Sequence, residues 1–594
     1  MVLRFLCVVL SLALLSLGGT IFTDPVQVTK NYDFIVVGGG TAGAVVATRL
    51  SESPSVSILV IEAGVADNGT DSNLIYTPLL AGSGIGTILD WNYTTTSQSG
   101  LNGRALDFPR GFVVGGSSCI NSMIYSRGPS DEYNRLATVS GDSGWSWLSL
   151  LPYIYKNEKH TPPWNNRNTF GEYNPLVHGY GPLLTGLTPT VFEHDKLVIK
   201  TTVEYPALYP YNLDLNSGNG LGFGWLQTSV GHSVRSTSAS TYLRPALNTR
   251  GNIDLLLHTQ VIKLVETATN TFKAVQVAQN AAAPSYQFTA SKEVIVSAGT
   301  VGTPQLLMLS GIGPAEQLAE VGIESVIDLP DVGNNLQDQI ILTLQWEVNG
   351  KTMFPFYNDP AAFAAALAQY DANKTGIAAG NPVVNTIGFM RLPSDSPLLA
   401  GGDPAAGPNA AHYQLAFLGT FYPNPGQTSP TTGNWMSIAI VVQSPTSRGS
   451  ISLTSSNAFV HPSIDPEYFT TAFDIGTAIQ AVKTAKAFVA TSPWADFIIA
   501  PFADTAALTT DAEIEAYIRT YSTTLNHPTS TAKISQNSDE GGVVGPHLLV
   551  KGASGLRIVD ASILPSMVAG YPQAEVYIIA ERAADLIKST WGLL

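Results

Sequence analysis

With 594 residues the chain is too long for one compact core, so two domains are expected, and 44% hydrophobic against 13% charged residues leaves ample apolar side chain to fill both. The formal net charge is −15 and no run of Lys or Arg interrupts it, which excludes nucleic acid and an anionic membrane surface as expected partners.

Met1 to Thr20 carries one cation, Arg4, then an apolar run from Phe5 to Leu17, then Gly18 and Gly19. This order is that of a secretory signal peptide, with an apolar core too short for a comfortable membrane span. Residues 1–20 are therefore set aside, a secreted, monomeric protein is expected, and no later run reaches spanning length. Cys7 lies in the same segment, so Cys119 stands alone in the mature chain and no intrachain disulfide can form. N-x-[ST] sequons at Asn68, Asn92 and Asn373 are open to glycosylation on a eukaryotic secretory route.

Tyr32 to Gly64 is the stretch around which the rest is arranged. Phe34 to Val37 reads as a buried parallel strand, and Gly38, Gly40 and Gly43 follow in the spacing G-x-G-x-x-G. Ala42 to Leu50 is helix-compatible, and Val56 to Ile61 makes a second strand that ends at Glu62. The first glycine permits the tight turn, the second lets backbone approach a pyrophosphate, and the third lets helix pack on strand. The helix start offers unpaired N–H groups and a positive dipole end, and Glu62 can accept from a ribose diol. Strand, turn, helix, strand and acid in that order predict a dinucleotide site.

Val65 to Pro109 is irregular, and Pro109 to Asn121 then runs glycine and serine into a predicted helix start. Its backbone N–H groups suit an anionic or flat ligand as well as a plain turn with an N-cap. Gly141 to Gly186, rich in Trp, Pro and Asn, reads as covering loops. Leu255–Leu257, Val261–Val265 and Lys292–Ser297 read as strands, the last running through Gly299 and Gly302 into a leucine-rich helix. From about Gln339 to Phe502, short β-like runs carry many aromatic residues, which predicts a second domain on an antiparallel sheet. Gly555 to Asp560 returns to the first style, a strand ending in an acid, before a closing helix with Val576, Ile579, Ala580, Ala583 and Ile587 at helical spacing.

Neither H-E-x-x-H nor C-x-x-C is present, so no metal is expected, and G-x-S-x-G is missing too. The notable histidine is His527, in a polar stretch before Pro528 that suits a loop presenting its side chain; taken alone, a solvent-facing or structural histidine is the better reading.

Several longer motifs, taken together, resemble the glucose-methanol-choline (GMC) oxidoreductase family, and most of all its fungal aryl-alcohol oxidases and pyranose dehydrogenases. They are GGSSCINSMIYSRG (Gly115–Gly128), GTVGTPQLLMLSGIG (Gly299–Gly313), Val332 to Asp338, and GLRIVDASILP (Gly555–Pro565), beside the glycine fingerprint. The resemblance runs from about Tyr32 to Lys588. It implies an α/β Rossmann-like FAD-binding domain of GMC type and an α+β substrate domain built on an antiparallel sheet. The implied limits are 30–338 for most of the FAD domain with part of the substrate domain inserted, 339–520 for most of the substrate domain, and 521–594 for the returning FAD segment with the His527 loop.

The resemblance further implies FAD as cofactor, with hydride passing from a primary, aryl or allylic alcohol to flavin N5 and electrons then to O2 or a quinone. His527 matches the histidine that takes the hydroxyl proton, a role a neutral imidazole can fill. Glu62 matches the acid on the adenosine ribose, Asn121 a residue beside the flavin, and Asp560 the acid of the C-terminal segment. The cofactor set implied by the matching motifs also includes Gly38, Gly40, Thr41, Ala42, Gly43, Gly115, Ser117, Val261, Ala561 and Gln573.

Departures from the family pattern fall at Phe112, Gln339, Ser530 and, above all, Tyr571, which holds the place of a second His or Asn facing the catalytic histidine. A phenol can donate a hydrogen bond but is a poor base at neutral pH, and its bulk is expected to slow benzylic alcohols. Ile120 falls where some relatives carry a covalent-flavin histidine, so FAD is expected to be non-covalent. Two other functions fit the same resemblance: a hydroxynitrile lyase that keeps FAD without its redox chemistry, and a flavin-binding homologue with lost activity.

Overall fold

The computed structural model describes residues 18–381, 383–539 and 541–593. The apolar N-terminal segment therefore lies outside the described residues except for Gly18–Thr20, where Gly19 N donates to Leu247 O at 2.7 Å and Thr20 N to Asp254 at 2.6 Å. Among the described residues no helix is long and apolar enough to cross a membrane.

Strand Tyr32–Val37 is buried at every position but Asp33. Parallel neighbours need apolar side chains on both faces, and its partners supply them: Ile58–Ile61 on one side and Tyr286–Val296 on the other. Ile253–Leu256 and Ile21–Phe22 extend the parallel set, Leu556–Ile558 joins Tyr286–Val296, and antiparallel Thr271–Ala278 and Gln260–Ala268 complete eight strands. The returning C-terminal strand thus brings Asp560 to the sheet that holds the glycine turn. Closing helix Gln573–Thr590 packs on Thr41–Leu50, fastened by Arg49 to the buried Glu581 at 2.8 Å.

The second sheet is antiparallel, in the order Ile498–Pro501, Ile340–Val348, Trp435–Val442, Tyr413–Leu418, Val384–Met390 and Gly222–Trp225, with Thr523–Thr524 paired to Ile340–Ile341. Helix Ala472–Val489 buries Ala478, Ala481, Val482, Ala485 and Phe488 against it. The alanines allow close approach, and Phe488 stacks on Phe223 with ring centroids 5.0 Å apart. Truncating Phe488 to Ala would cost about 3–5 kcal/mol. Gly222–Trp225 belongs to this sheet, an insertion between strands of the first one.

Two stretches differ from their sequence reading. Within the supposed covering loops, Trp147–Asn157 is a helix that contains Pro152, and Glu158–Thr161 pairs in parallel with Leu183–Gly186. Leu150 and Ile154, one turn apart, are fully buried, and that burial outweighs the hydrogen bond Pro152 cannot make. Conversely, the helix start expected before Asn121 is one short 3-10 turn, Gly116–Cys119, because Gly115 and Gly116 sit at φ 95° and 55°.

Candidate active site

One cavity of about 790 Å³ runs from the glycine turn to the antiparallel sheet. The turn is as tight as its spacing predicts: Gly38 has φ 93°, and a Cβ on Gly43 would stand 2.0 Å from Gly38 O. Helix Thr41–Leu50 begins at Gly40 with no side-chain cap, so its first N–H groups are open to the cavity. Glu62 accepts from Gly39 N at 2.8 Å and Gly64 N at 2.9 Å, and burial raises its carboxyl to about 7 against those hydrogen bonds.

Thirteen of the fifteen residues singled out in the sequence line this cavity. On the nucleotide side these are Gly38, Gly40, Thr41, Ala42, Glu62 and Val261, with Ser117 and Asn121 from the first signature. Asp560, Ala561 and Gln573 arrive with the C-terminal segment, and His527 and Tyr571 close the far end. Gly43 and Gly115 do not face the cavity. Gly43 lets the helix meet the strand, and Gly115 donates its N–H to Gly39 O at 2.8 Å, locking the signature loop to the glycine turn.

The cavity walls are internally braced. Asn121 Nδ2 donates to Gln573 Oε1 at 2.5 Å, while Asn121 Oδ1 accepts from Met123 N at 2.9 Å and from Arg235 at 2.7 Å. Asp560 accepts from Gly299 N at 2.9 Å and Thr303 Oγ1 at 2.6 Å on one oxygen, and from Ser562 N at 2.8 Å on the other. Burial raises the Asp560 carboxyl above its ordinary value, opposed by these donors.

At the far end the His527 and Tyr571 rings stand edge-on, centroids 5.0 Å apart and planes at 76°. Three contacts set the His527 loop. His527 N donates to Asp338 Oδ1 at 2.7 Å, Nδ1 lies 2.7 Å from Gln339 Oε1, and Arg110 donates to Asn526 O at 2.5 Å. Burial, helped by the Arg110 guanidinium, pushes the imidazole down to about 3, so it is neutral near neutral pH. Burial holds the Tyr571 phenol protonated well above its usual range, and Gln414 Nε2 donates to its oxygen at 2.7 Å.

Sequence reasoning did not single out Arg110, Gln414, Gln443 or Asn381. Arg110 lies in the Pro109–Asn121 stretch without standing out there, and Gln414 and Asn381 reach the cavity only through strand pairing and loop closure, with Gln443 behind it. Gln339 was noticed as a departure, but its role depends on where the sheet places it.

The architecture and motifs have close counterparts. The chain matches the GMC oxidoreductase family over residues 32–341 and 445–580. The chain belongs to the GMC oxidoreductase family. It is 37% identical to pyranose dehydrogenase 3 of Leucoagaricus meleagris over 581 residues, covering 96% of this chain and 95% of that protein. The structure is similar to that of formate oxidase from Aspergillus oryzae, studied for its FAD modification, with a TM-score of 0.86 at 27% identity over 97% of this chain and 100% of that one. It is also similar to a fungal aryl-alcohol oxidase, with a TM-score of 0.79 at 25% identity over 95% and 99% of the two chains.

This GMC protein is an oxidoreductase for CH–OH donors, alcohols or sugars, and FAD is its cofactor. The residues present fit that cofactor. A Cβ on Gly116 would stand 2.8 Å from Gly40 Cα, so the floor admits no side chain, and the buried Ser297 Oγ and Asn526 Oδ1 have no protein partner where both residues line the cavity.

Proposed function

We propose that this GMC oxidoreductase is a secreted enzyme that oxidises a primary aryl or allylic alcohol, with His527 as the base and Tyr571 as the hydrogen-bond partner of the alcohol oxygen. One observation carries the reading: His527 and Tyr571 face each other across the end of the cavity that holds the glycine turn and Glu62. Bound FAD supplies the two-electron acceptor for the carbinol hydrogen. Glu62, the open start of the first helix and Asp560 would hold it, Glu62 on the ribose and the helix N–H groups on the pyrophosphate.

The amide of Gln339 accepts on its oxygen, so His527 carries its hydrogen on Nδ1 and turns a bare Nε2 to the cavity. That nitrogen can take the hydroxyl proton, and the protonated phenol can steady the oxygen left behind. Ile341, Val384, Ala416, Leu418, Ala439 and Leu525 wall the cavity from the antiparallel sheet and the His527 loop. These apolar side chains support an alcohol with an apolar body, beside polar lining from Asn381, Gln414 and Thr524.

Non-covalent FAD is supported by the side chains within reach. Ile120 lines the cavity but offers no nucleophile, and burial drives the Cys119 thiol up to about 12 while its Sγ donates to Val114 O at 3.2 Å. Asn68, Asn92 and Asn373 are all exposed, which supports glycosylation on a secretory route. O2 or a quinone is the proposed terminal acceptor.

The test is anaerobic mixing of the holoprotein with benzylic, allylic and sugar alcohols. Bleaching of the flavin by benzyl or allyl alcohol supports the reading, and bleaching by sugars alone reassigns the substrate. Conversion of a cyanohydrin with no bleaching by any alcohol identifies a lyase.

A further inference from the structure

Behind the cavity His527 and Tyr571 are joined by three buried glutamines, and we propose that Gln339, Gln443 and Gln414 are positioning residues, a one-way chain of amides that makes His527 Nε2 an acceptor and the Tyr571 hydroxyl a donor. This rests on the roles proposed for the pair. The chain starts from a fixed point. Gln339 Nε2 lies 3.0 Å from the backbone carbonyls of both Gln443 and Val568, groups that can only accept, so this amide cannot turn over. Its oxygen must therefore face His527 Nδ1, which must carry the hydrogen.

From there each amide passes the same sense onward. Gln339 Nε2 is 3.1 Å from Gln443 Oε1, Gln443 Nε2 donates to Gln414 Oε1 at 2.7 Å, and Gln414 Nε2 donates to Tyr571 Oη at 2.7 Å. A phenol that accepts from Gln414 keeps its own hydrogen for something else, and among the described residues no other partner meets that oxygen. Among the described residues His527 Nε2 likewise has no hydrogen-bond partner. Both free ends face the cavity, one seeking a proton and the other offering one, which is the complement of an alcohol oxygen.

The sheet builds this chain from distant sequence. Gln339 directly precedes strand Ile340–Val348, Gln443 directly follows Trp435–Val442, and Gln414 lies opposite Val441 in the neighbouring strand. Gln339, Gln443 and Gln414 are exposed by 0%, 0% and 1%, so no water competes for their hydrogen bonds and reversing one amide would set oxygen against oxygen.

Gln414→Glu tests the distal half. At a pH high enough to ionise this buried carboxyl it would accept from Gln443 on one oxygen and from the Tyr571 hydroxyl on the other, taking the phenol hydrogen out of the cavity, whereas the neutral acid would donate to the phenol as the amide does. Anaerobic flavin reduction by benzyl alcohol should slow about 10- to 100-fold, to the level of Tyr571→Phe, and the double variant should be no slower than Tyr571→Phe alone. A wild-type rate in Gln414→Glu with the carboxylate band present in its infrared difference spectrum, or a loss that multiplies with that of Tyr571→Phe, overturns the distal half.

The proximal half is read without turnover, from 15N spectra of histidine-labelled holoprotein in which the His527 signals are those lost in His527→Ala. Wild-type protein should show a neutral imidazole with hydrogen on Nδ1, and Gln339→Leu should move it to Nε2. Hydrogen on Nε2 in the wild type overturns the chain even if the variant fails to fold. An unchanged rate in His527→Ala would instead remove the proposed base, an outcome separate from the tautomer.

Discussion

Asp338 accepts the backbone N–H of His527 at 2.7 Å on one oxygen, and the hydroxyls of Tyr468 and Thr524 donate to the other. The landmark that ends at Asp338 is therefore the clamp of the His527 loop. Adjacent positions hold the histidine by different atoms: Asp338 by its main chain, Gln339 by its ring. Asp338→Ala leaves four donors unpaired, the backbone N–H of Gln339 at 2.9 Å among them, and should cost roughly 3 kcal/mol of stability. If the loop also drifts by about 1 Å, flavin reduction should fall roughly 100-fold. Thermal unfolding and single-turnover kinetics measure the two effects separately.

The depressed imidazole of His527 predicts a flat pH profile. Its value in the fold, about 3, lies below the ordinary 6.5, so protonation favours the unfolded chain. The stability it contributes is present above 6.5 and is lost as pH falls through that interval. Between pH 5 and 8 the imidazole of this proposed base stays neutral, and flavin reduction should show no limb near 6.5. Stopped-flow rates with a pH-inert alcohol check this, and a titration centred between 6 and 7 would assign His527 a solvated environment.

Glu62 predicts how FAD affinity depends on pH. A ribose diol donates, so FAD prefers the carboxylate, whereas the carboxyl of the cofactor-free chain is raised to about 7. Binding should release a proton below that value and tighten as pH rises, levelling off above it. Glu62→Gln should bind FAD about tenfold more weakly and lose the pH dependence. Titration of deflavo-protein by flavin fluorescence gives both quantities.

Acid precipitation of the holoprotein should leave a colourless pellet and a yellow supernatant, since no nucleophile at Ile120 or Cys119 is placed to bond the flavin. A yellow pellet would show a covalent link.

Tyr571 separates two expectations. From bulk alone, Tyr571→His should relieve crowding and speed benzylic alcohols. With Gln414 held 2.7 Å from the phenol oxygen, a shorter imidazole would miss its partner, and Tyr571→His should be slower than wild type by about tenfold. Steady-state kinetics of Tyr571→His and Tyr571→Phe beside the wild type decide between them.

The nucleotide half of the fold was legible because its chemistry is local. Gly38, Gly40, Gly43 and Glu62 lie within one strand-helix-strand unit, and their spacing carries their geometry. His527 was visible from its neighbours as a loop residue but gained a role only through family motifs. The glutamine chain was not legible at all. Gln339, Gln414 and Gln443 are brought together by antiparallel register, and an isolated glutamine in a strand or at its end has no signature. Helix Trp147–Asn157 was hidden by Pro152 and its Trp-rich flanks, although Leu150 and Ile154 carry helical spacing.

The central claim is that His527 takes the alcohol proton. Anaerobic single-turnover reduction of the flavin by benzyl alcohol, in wild type and in His527→Ala, tests it most directly. The account predicts that the variant retains FAD with an unchanged oxidised spectrum but is reduced more slowly by about 10²–10⁴-fold. Flavin reduction at the wild-type rate in His527→Ala would contradict it.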